Sequence, residues 1–322
     1  MRIVFFGSPD YAVPSLRACL ALPDAEVVAV VTQPDRPRGR SGAALTPPVK
    51  QVAVEAGVLT ILQPERVRRD TTEALAALHP DIGVVAASGH ILPTHLLEVF
   101  PHDVVNVHAS LLPRHRGASP VSAAILAGDA TSGASIMLVV RELDAGPVLA
   151  TIATPIGPHD TTGALTERIA GLGAALLAET LPRWIAGEIT PLPQDAALVT
   201  YAPRLAKEDG AIYWTRSAEE IARGVRAYAS WPLATTTRDG EPLAILEAWP
   251  LHGDSAAAPG TVEAGDGTPL TPLLPGRLAR AVVACGSGRL ALLALQRSGR
   301  RALPIEDYLN GDRVLIGSVL GA

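Results

Sequence analysis

Residues 103–117, DVVNVHASLLPRHRG, hold the pattern that most narrows the fold. The first part alternates valine with polar residues, which predicts a short buried strand that ends near His108 and carries Asn106 and His108 on one face. Pro113 disfavours the α region for the residue before it, and Gly117 permits close backbone approach, so an ordered loop should follow. In open α/β sheets ligands bind beyond the carboxyl ends of the strands, where this loop lies.

A second short motif, Leu143-Asp144-Ala145-Gly146, lies between strand-like runs at residues 134–140 and 148–154. Asp144 is therefore expected on a turn that faces the loop after His108. An imidazole moves protons near neutral pH, a carboxylate orients it, and an amide donates to an oxyanion. The motifs together make Asn106, His108 and Asp144 candidate catalytic residues for acyl transfer.

The candidate site contains no evident nucleophile of its own. Cys19 and Cys285 lie elsewhere in the sequence and no G-x-S-x-G motif is present, so the attacking atom should belong to a substrate. Two other interpretations of His108 stay open. It can be a hydrogen-bonded structural histidine, or a metal ligand, although no HxxxH or CxxC pair accompanies it and no metal is predicted.

Strand and helix signals alternate through the first half of the chain. Helical periodicity marks residues 14–22, 72–78 and 161–186, and strand-like runs lie between them at residues 2–6, 26–32, 82–86 and 104–107. This order predicts an α/β fold with a Rossmann-like, doubly wound, mostly parallel sheet. Gly7 does not begin a G-x-G-x-x-G pattern, because the third glycine position is Ala12, so a dinucleotide cofactor is not expected.

A change of pattern near residues 187–204 predicts a second domain. Prolines break the periodicity there. A helix is then predicted near residues 217–229, followed by short strand-like pieces at residues 243–248, 260–263, 280–285 and 290–295, a spacing typical of a small β-barrel. The predicted organisation is a catalytic domain at 1–189, a linker at 190–208 and a C-terminal domain at 209–322.

Composition indicates a cytoplasmic protein without a membrane segment. The chain has 322 residues, 48% of them hydrophobic, two cysteines and a net charge of −5. A sizeable core is therefore possible, and a disulfide framework is not expected. The N-terminal residues enter a strand rather than a signal core, and no apolar run approaches the roughly 20 residues that span a bilayer.

Two segments are locally basic although the whole chain is acidic. From Arg277 onward the chain carries seven arginines and three acidic residues, a local charge of +4. Residues 33–48 are rich in proline, glycine and arginine and are long for a connection between a strand and a helix. Both segments could contact phosphates. The alternatives are a general preference for arginine in this chain and a flexible surface loop.

The motifs around Asn106, His108 and Asp144 resemble the catalytic and folate-site motifs of the folate-dependent formyltransferases. Four further segments resemble one branch of that family, the branch that acts on methionyl-tRNA. They are residues 6–12 (FGSPDYA), 32–37 (TQPDRP), 198–202 (LVTYA) and 226–232 (RAYASWP). The resemblance covers nearly the whole chain. One departure is Ser88, where members of the family commonly have an aromatic residue.

The resemblance implies transfer of a formyl group from 10-formyltetrahydrofolate to the α-amino group of methionyl-initiator tRNA, for translation initiation. It also implies an OB-like C-terminal barrel that contacts tRNA. A monomer is expected, because nothing in the sequence suggests an obligate oligomer. Expected folate-binding residues are Gly89, Ile91, Leu92, Ser110, Leu111, Leu112 and Pro113. Expected tRNA-binding residues are Arg36, Arg38, Arg40 and Lys207.

Two other functions remain open. Formyltransferases with the same three catalytic residues act on other amines or on water, and the long arginine-bearing loop is the feature that favours tRNA. A binding module without activity is a further alternative, against which the intact Asn106, His108 and Asp144 argue.

Overall fold

The structure, a computed structural model, describes residues 1–37, 44–271 and 274–321. Over these residues the chain folds into two compact units. The first comprises Met1–Pro120, Thr131–Pro155 and Leu165–Pro203, and the second comprises Val121–Ala130, Ile156–Ala164 and the chain from Arg204 onward. The boundaries at residues 189 and 208 stay a prediction. Within the described residues, no helix is both long and apolar enough to cross a membrane.

The chain up to Pro203 contains eleven strands and six α-helices among the described residues. In chain order they are β1 (Arg2–Gly7), α1 (Val13–Ala21), β2 (Glu26–Val31), β3 (Arg36–Pro37), β4 (Ala44–Leu45), α2 (Pro48–Glu55), β5 (Ile61–Leu62), α3 (Arg69–Ala76), β6 (Ile82–Ala86), α4 (Thr94–Leu97), β7 (Val104–His108), β8 (Arg116–Gly117), α5 (Pro120–Ala127), β9 (Thr131–Leu138), β10 (Val148–Pro155), α6 (Thr162–Ile185) and β11 (Tyr201–Ala202).

The main sheet of the first unit is mixed, with the strand order β10–β9–β7–β6–β1–β2–β5. The strands from β7 to β5 are parallel, whereas β9 pairs antiparallel with both β7 and β10. β1 is buried over Ile3, Val4, Phe5 and Phe6, as expected for a strand covered on both faces. The chain runs from β1 to one side and returns to β6 on the other, and ligands of open α/β sheets bind beyond the carboxyl ends of the strands at such a reversal.

The predicted Rossmann-like pattern of the first unit is confirmed, with a larger antiparallel part than expected. Residues 82–86 form β6 as predicted, and the helix predicted at 161–186 is α6. No helix was predicted directly after residues 33–48, where α2 begins at Pro48. The Pro47-Pro48 pair, with proline in the first helical turn, is the signal that could have revealed α2.

The second unit contains a curled antiparallel sheet. Its elements are α7 (Ala218–Ala227), β12 (Ala234–Arg238), β13 (Glu241–Leu251), β14 (Val262–Ala264), β15 (Ala281–Ala284), β16 (Arg289–Arg297), β17 (Leu303–Pro304) and α8 (Ile305–Gly311). The strand order is β12–β13–β16–β15–β14, and β17 also pairs with β16. The hairpin of β12 and β13 was missed, although its Asp239-Gly240 turn, with both residues at positive φ, is a strong hairpin signal.

A buried carboxylate joins α8 to the sheet of the second unit. Asp312 is 8% exposed and accepts hydrogen bonds from the guanidinium groups of Arg238 on β12 and Arg297 on β16. The Arg297 Nε also donates to the Tyr308 hydroxyl over 2.9 Å. Burial alone would raise the pKa of Asp312, but the bonds to Arg238 and Arg297 outweigh it and leave that pKa below its ordinary value.

The Asp312→Asn variant should therefore be less stable by about 2–4 kcal/mol at pH 7, because two arginines lose their buried counter-charge. Because the folded-state pKa is the lower one, this stability is present above the unfolded pKa, near 3.9 in model peptides, and is lost as pH falls through the folded value. Urea unfolding at pH 7 and at pH 3 checks both points.

A matched control for that measurement is Asp239→Asn. The Asp239 carboxylate lies 3.6 Å from the Arg238 Nε, but it is 85% exposed. Its loss should change the free energy of unfolding by less than about 1 kcal/mol. Equal effects of the two substitutions would show that the Asp312 cluster does not stabilise this unit.

Candidate active site

Strand β7 carries Asn106 and His108 toward the carboxyl ends of the parallel strands, where a ligand is expected to bind. It lies between β6 and β9, with Asn106 opposite Val85 of β6. Val105 and Val107 are buried in the core, so the alternation of a strand directs Asn106 and His108 to its other side. Asn106 is half-buried, and His108 is buried at 6% exposure.

The contacts of His108 identify the ring nitrogen that can exchange a proton. Its Nε2 lies 3.0 Å from the carbonyl oxygen of His115. A carbonyl only accepts, so Nε2 carries a hydrogen in either charge state of the ring. Nδ1 is therefore the atom that gains or loses a proton, and it faces the Asp144 Oδ2 at 3.7 Å. That distance is too long for a hydrogen bond, and the contact is an ion pair only when the ring is protonated.

A network around the Gly117 and Gly146 backbone holds Asp144. The Gly117 N–H donates to the Asp144 Oδ2 over 2.8 Å, and Asp144 itself has a φ of 48°. The Gln194 Nε2 donates to the carbonyls of Asp144 and Gly146 over 2.8 and 2.7 Å, and its Oε1 accepts from Arg116. A Cβ at Gly146 would lie 1.8 Å from a backbone oxygen, so this turn requires glycine.

Sequence reasoning missed the part that residues 190–203 play in this site. Besides Gln194, the Thr200 Oγ1 accepts from the His115 N–H over 2.8 Å, and the Thr200 carbonyl accepts from the Arg116 N–H over 2.9 Å. β11 follows and pairs in parallel with β8. The local sequence does not predict these contacts, because the partners are about 80 residues apart in the chain.

The loop after β7, which carries four of the expected folate-binding residues, is fixed from below by Ser135 of β9. The Ser135 hydroxyl donates to the Ser110 carbonyl over 2.7 Å and accepts from the Leu112 N–H over 3.1 Å. Ser110 is fully buried, and its hydroxyl donates to the Arg114 carbonyl over 2.6 Å. Leu111, Leu112 and Pro113 of this loop are half-buried.

The loop after β6 carries the other expected folate-binding residues. Because β6 and β7 are parallel neighbours, this loop emerges at the same sheet edge as the loop after β7. Gly89 has a φ of 73°, which favours glycine. Ile91 is 90% exposed, whereas Leu92 is half-buried against the apolar core of the sheet.

Only two of the four basic residues expected to bind tRNA lie within the described residues. Arg36 is exposed on β3, which pairs with β4 at the base of the segment from residue 33 to 48. Arg38 and Arg40 lie outside the described residues. Lys207 is exposed and begins a short 3-10 helix, Lys207–Gly210, in the second unit.

The two cysteine thiols and the possible metal ligands were compared with the arrangement that thiol or metal chemistry would need. Burial raises the pKa of the Cys19 thiol to about 12 and that of the Cys285 thiol to about 12, which leaves neither as a ready nucleophile. Across residues 1–37, 44–271 and 274–321, no group of three His, Cys, Asp or Glu side chains is arranged to hold a metal ion.

The fold has relatives among solved structures. An N-formyltransferase from Helicobacter canadensis, solved with folinic acid and dTDP-3-aminofucose, is similar with a TM-score of 0.65 at 16% sequence identity. The similarity covers 92% of this chain and 98% of that one. At this identity the likeness concerns the fold.

Sequence comparison identifies the family. The Formyl transferase family matches residues 1–181, and the family described as Formyl transferase, C-terminal domain, matches residues 204–313. The methionyl-tRNA formyltransferase of Roseiflexus sp. (strain RS-1) is 45% identical over 100% of this chain and 95% of its own length. That of Gluconobacter oxydans (strain 621H) is 46% identical over 99% and 100%. The chain therefore belongs to the methionyl-tRNA formyltransferase family.

Proposed function

We propose that the protein transfers the formyl group of 10-formyltetrahydrofolate to the α-amino group of methionine esterified to initiator tRNA. The observation that carries the proposal is the position of the His108 Nδ1 opposite the Asp144 carboxylate, on the strand face that also bears Asn106. The names of the full-length relatives and the folate bound by the Helicobacter canadensis relative support it.

In the proposed reaction, the free α-amine attacks the formyl carbon. A new C–N bond forms, and the bond between that carbon and the folate nitrogen breaks. Asn106 and protonated His108 stabilise the oxyanion of the tetrahedral intermediate, since a donor aimed at developing charge lowers the barrier. Asp144 faces the His108 Nδ1 and, directly or through water, assists transfer of the amine proton to the departing folate nitrogen.

The binding residues are assigned in the same proposal. Gly89, Ile91 and Leu92 of the loop after β6 and residues 110–113 of the loop after β7 hold the folate at the shared sheet edge. Arg36, Arg38, Arg40 and Lys207 contact the tRNA, chiefly its phosphates. The second unit is proposed to be an OB-like domain that contributes to tRNA binding, and the protein is proposed to act as a cytoplasmic monomer.

The direct test supplies 10-formyltetrahydrofolate together with one of three acceptors and measures formyl-methionine. The acceptors are methionine-charged initiator tRNA, the same amino acid on elongator tRNA, and free methionine. Product confined to initiator tRNA is expected. Release of tetrahydrofolate with no formylated product would contradict the proposed acceptor and would point to water or another amine.

The arginines of the segment at residues 33–48 give a second test. Replacing Arg36, Arg38 and Arg40 together by Ser should raise the KM for charged tRNA about tenfold or more and leave the KM for 10-formyltetrahydrofolate unchanged. Binding of tRNA should also depend less on salt. For each lost phosphate contact, the slope of the logarithm of the binding constant against the logarithm of the salt concentration should fall by about one unit. The assay is steady-state kinetics at several salt concentrations.

The control for this variant is Arg183→Ser. Arg183 lies on α6, is about 61% exposed and faces Glu188 at 3.6 Å, so its loss removes one positive charge from the same unit without touching the segment. The same rise in KM for this control would contradict a specific role of the segment.

A further inference from the structure

A chain of hydrogen bonds runs through the loop after β6. Ser88 is buried at 3% exposure, and its Oγ lies 3.1 Å from the His90 Nδ1. The His90 Nε2 lies 2.9 Å from the carbonyl oxygen of Pro64, which follows β5. These hydrogen bonds thus link the loop after β6 to the segment after β5.

The direction of these bonds follows from the groups involved. The Pro64 carbonyl can only accept, so the His90 Nε2 donates to it. In the neutral ring Nδ1 then has no hydrogen, and the Ser88 hydroxyl donates to it. Each polar group of the chain has a defined partner, which holds the imidazole in one orientation.

The backbone of the same loop is held at a further point. The Ser88 carbonyl accepts from the Ser8 hydroxyl over 3.2 Å and from the Gln33 Nε2 over 3.4 Å. Ala87, with a φ of 45°, lies in the left-handed region that a residue with a Cβ rarely adopts. Such a conformation persists only where surrounding contacts impose it, and these hydrogen bonds supply them.

We infer that His90, through Ser88 and Pro64, is a positioning residue for the folate co-substrate. It holds the loop of Gly89, Ile91 and Leu92 in the shape that receives the co-substrate, so the folate does not have to order the loop on binding. His90 itself does not act on the formyl group. This inference rests on the proposed function, because it assigns that loop to folate.

The test compares His90→Leu, His90→Gln and Ser88→Ala in the full-length protein. His90→Leu should raise the KM for 10-formyltetrahydrofolate about five- to tenfold, the effect of losing one or two neutral hydrogen bonds. The kcat and the KM for charged tRNA should stay within about twofold. Calorimetric titration with tetrahydrofolate should show the same loss of affinity.

The His90→Gln variant distinguishes a positioning role of His90 from a general effect on the stability of the protein. The Gln amide can still donate to the Pro64 carbonyl, so His90→Gln should recover part of the affinity that His90→Leu loses. Because Ser88 and His90 belong to one chain of bonds, adding Ser88→Ala to His90→Leu should cause little further loss. His252→Leu, an exposed histidine of the second unit, is the matched control.

Two results would overturn the inference. One is an unchanged KM and an unchanged affinity for tetrahydrofolate in His90→Leu. The other is an equal rise in the KM for both substrates together with a lower Tm, which would indicate a structural role only. Failure of the wild-type protein to bind tetrahydrofolate or to formylate charged tRNA would instead show that the proposed function is wrong.

Discussion

The His108→Gln variant is expected to lose about two to three orders of magnitude in kcat for formyl transfer, the typical effect of removing one group that stabilises the oxyanion. The Gln amide can still donate to the His115 carbonyl, as the His108 Nε2 does over 3.0 Å, so the local structure should be retained. Gln cannot carry the positive charge that the proposed reaction assigns to the His108 ring opposite Asp144. The loss should therefore fall on kcat, and the KM for charged tRNA should change little.

Single-turnover kinetics with saturating 10-formyltetrahydrofolate is the measurement for His108→Gln, because it reports the chemical step directly. His79→Gln is the control, since His79 is exposed and follows α3. A His108→Gln variant with a turnover within about tenfold of the wild type would contradict the proposed stabilisation of the oxyanion by protonated His108. His108 would then be interpreted as a structural histidine.

Replacing Asn106 by Ala should lower kcat about 10²- to 10³-fold, the typical effect of removing one oxyanion donor. The side chain is half-buried in the middle of β7, on the face that carries His108. It would donate to the oxygen of the formyl group only as negative charge develops there. Substrate affinity should therefore be nearly unchanged, which binding titrations with tetrahydrofolate and with charged tRNA can check.

The control for Asn106→Ala is Asn310→Ala, an exposed asparagine on α8 of the second unit. Thermal unfolding of both variants verifies that they remain folded. A loss of tRNA or folate affinity as large as the loss of kcat would assign Asn106 to substrate binding rather than to the oxyanion.

Much of the first unit could be predicted because its signals are local. The apolar runs of β1, β2, β6 and β7 indicate buried strands by their own composition, and α6 shows helical periodicity over its whole length. Two elements were missed for different reasons. β12 was missed although threonine favours strands and the Asp239-Gly240 turn after it is a hairpin signal. α8 has only seven residues, so it depends on the core against which it packs.

The antiparallel part of the main sheet could not be predicted in the same way. The runs that became β9 and β10 were recognised as strands, but strand direction is set by the pairing partner and not by the strand's own residues. β9 pairs with β7 and places Ser135 opposite His108. That register brings the Ser135 hydroxyl under the loop after β7.

By itself, the sequence determined that Asn106 and His108 share one face of a strand and that a loop with Pro113 and Gly117 follows them. Those features depend on residues that are adjacent in the chain. Only the tertiary structure decided that Asp144 lies opposite the His108 Nδ1, and that Gln194 and Thr200 hold the surrounding backbone. These contacts join residues about 40 to 90 positions apart, and their geometry follows from strand order and packing, which no local pattern encodes.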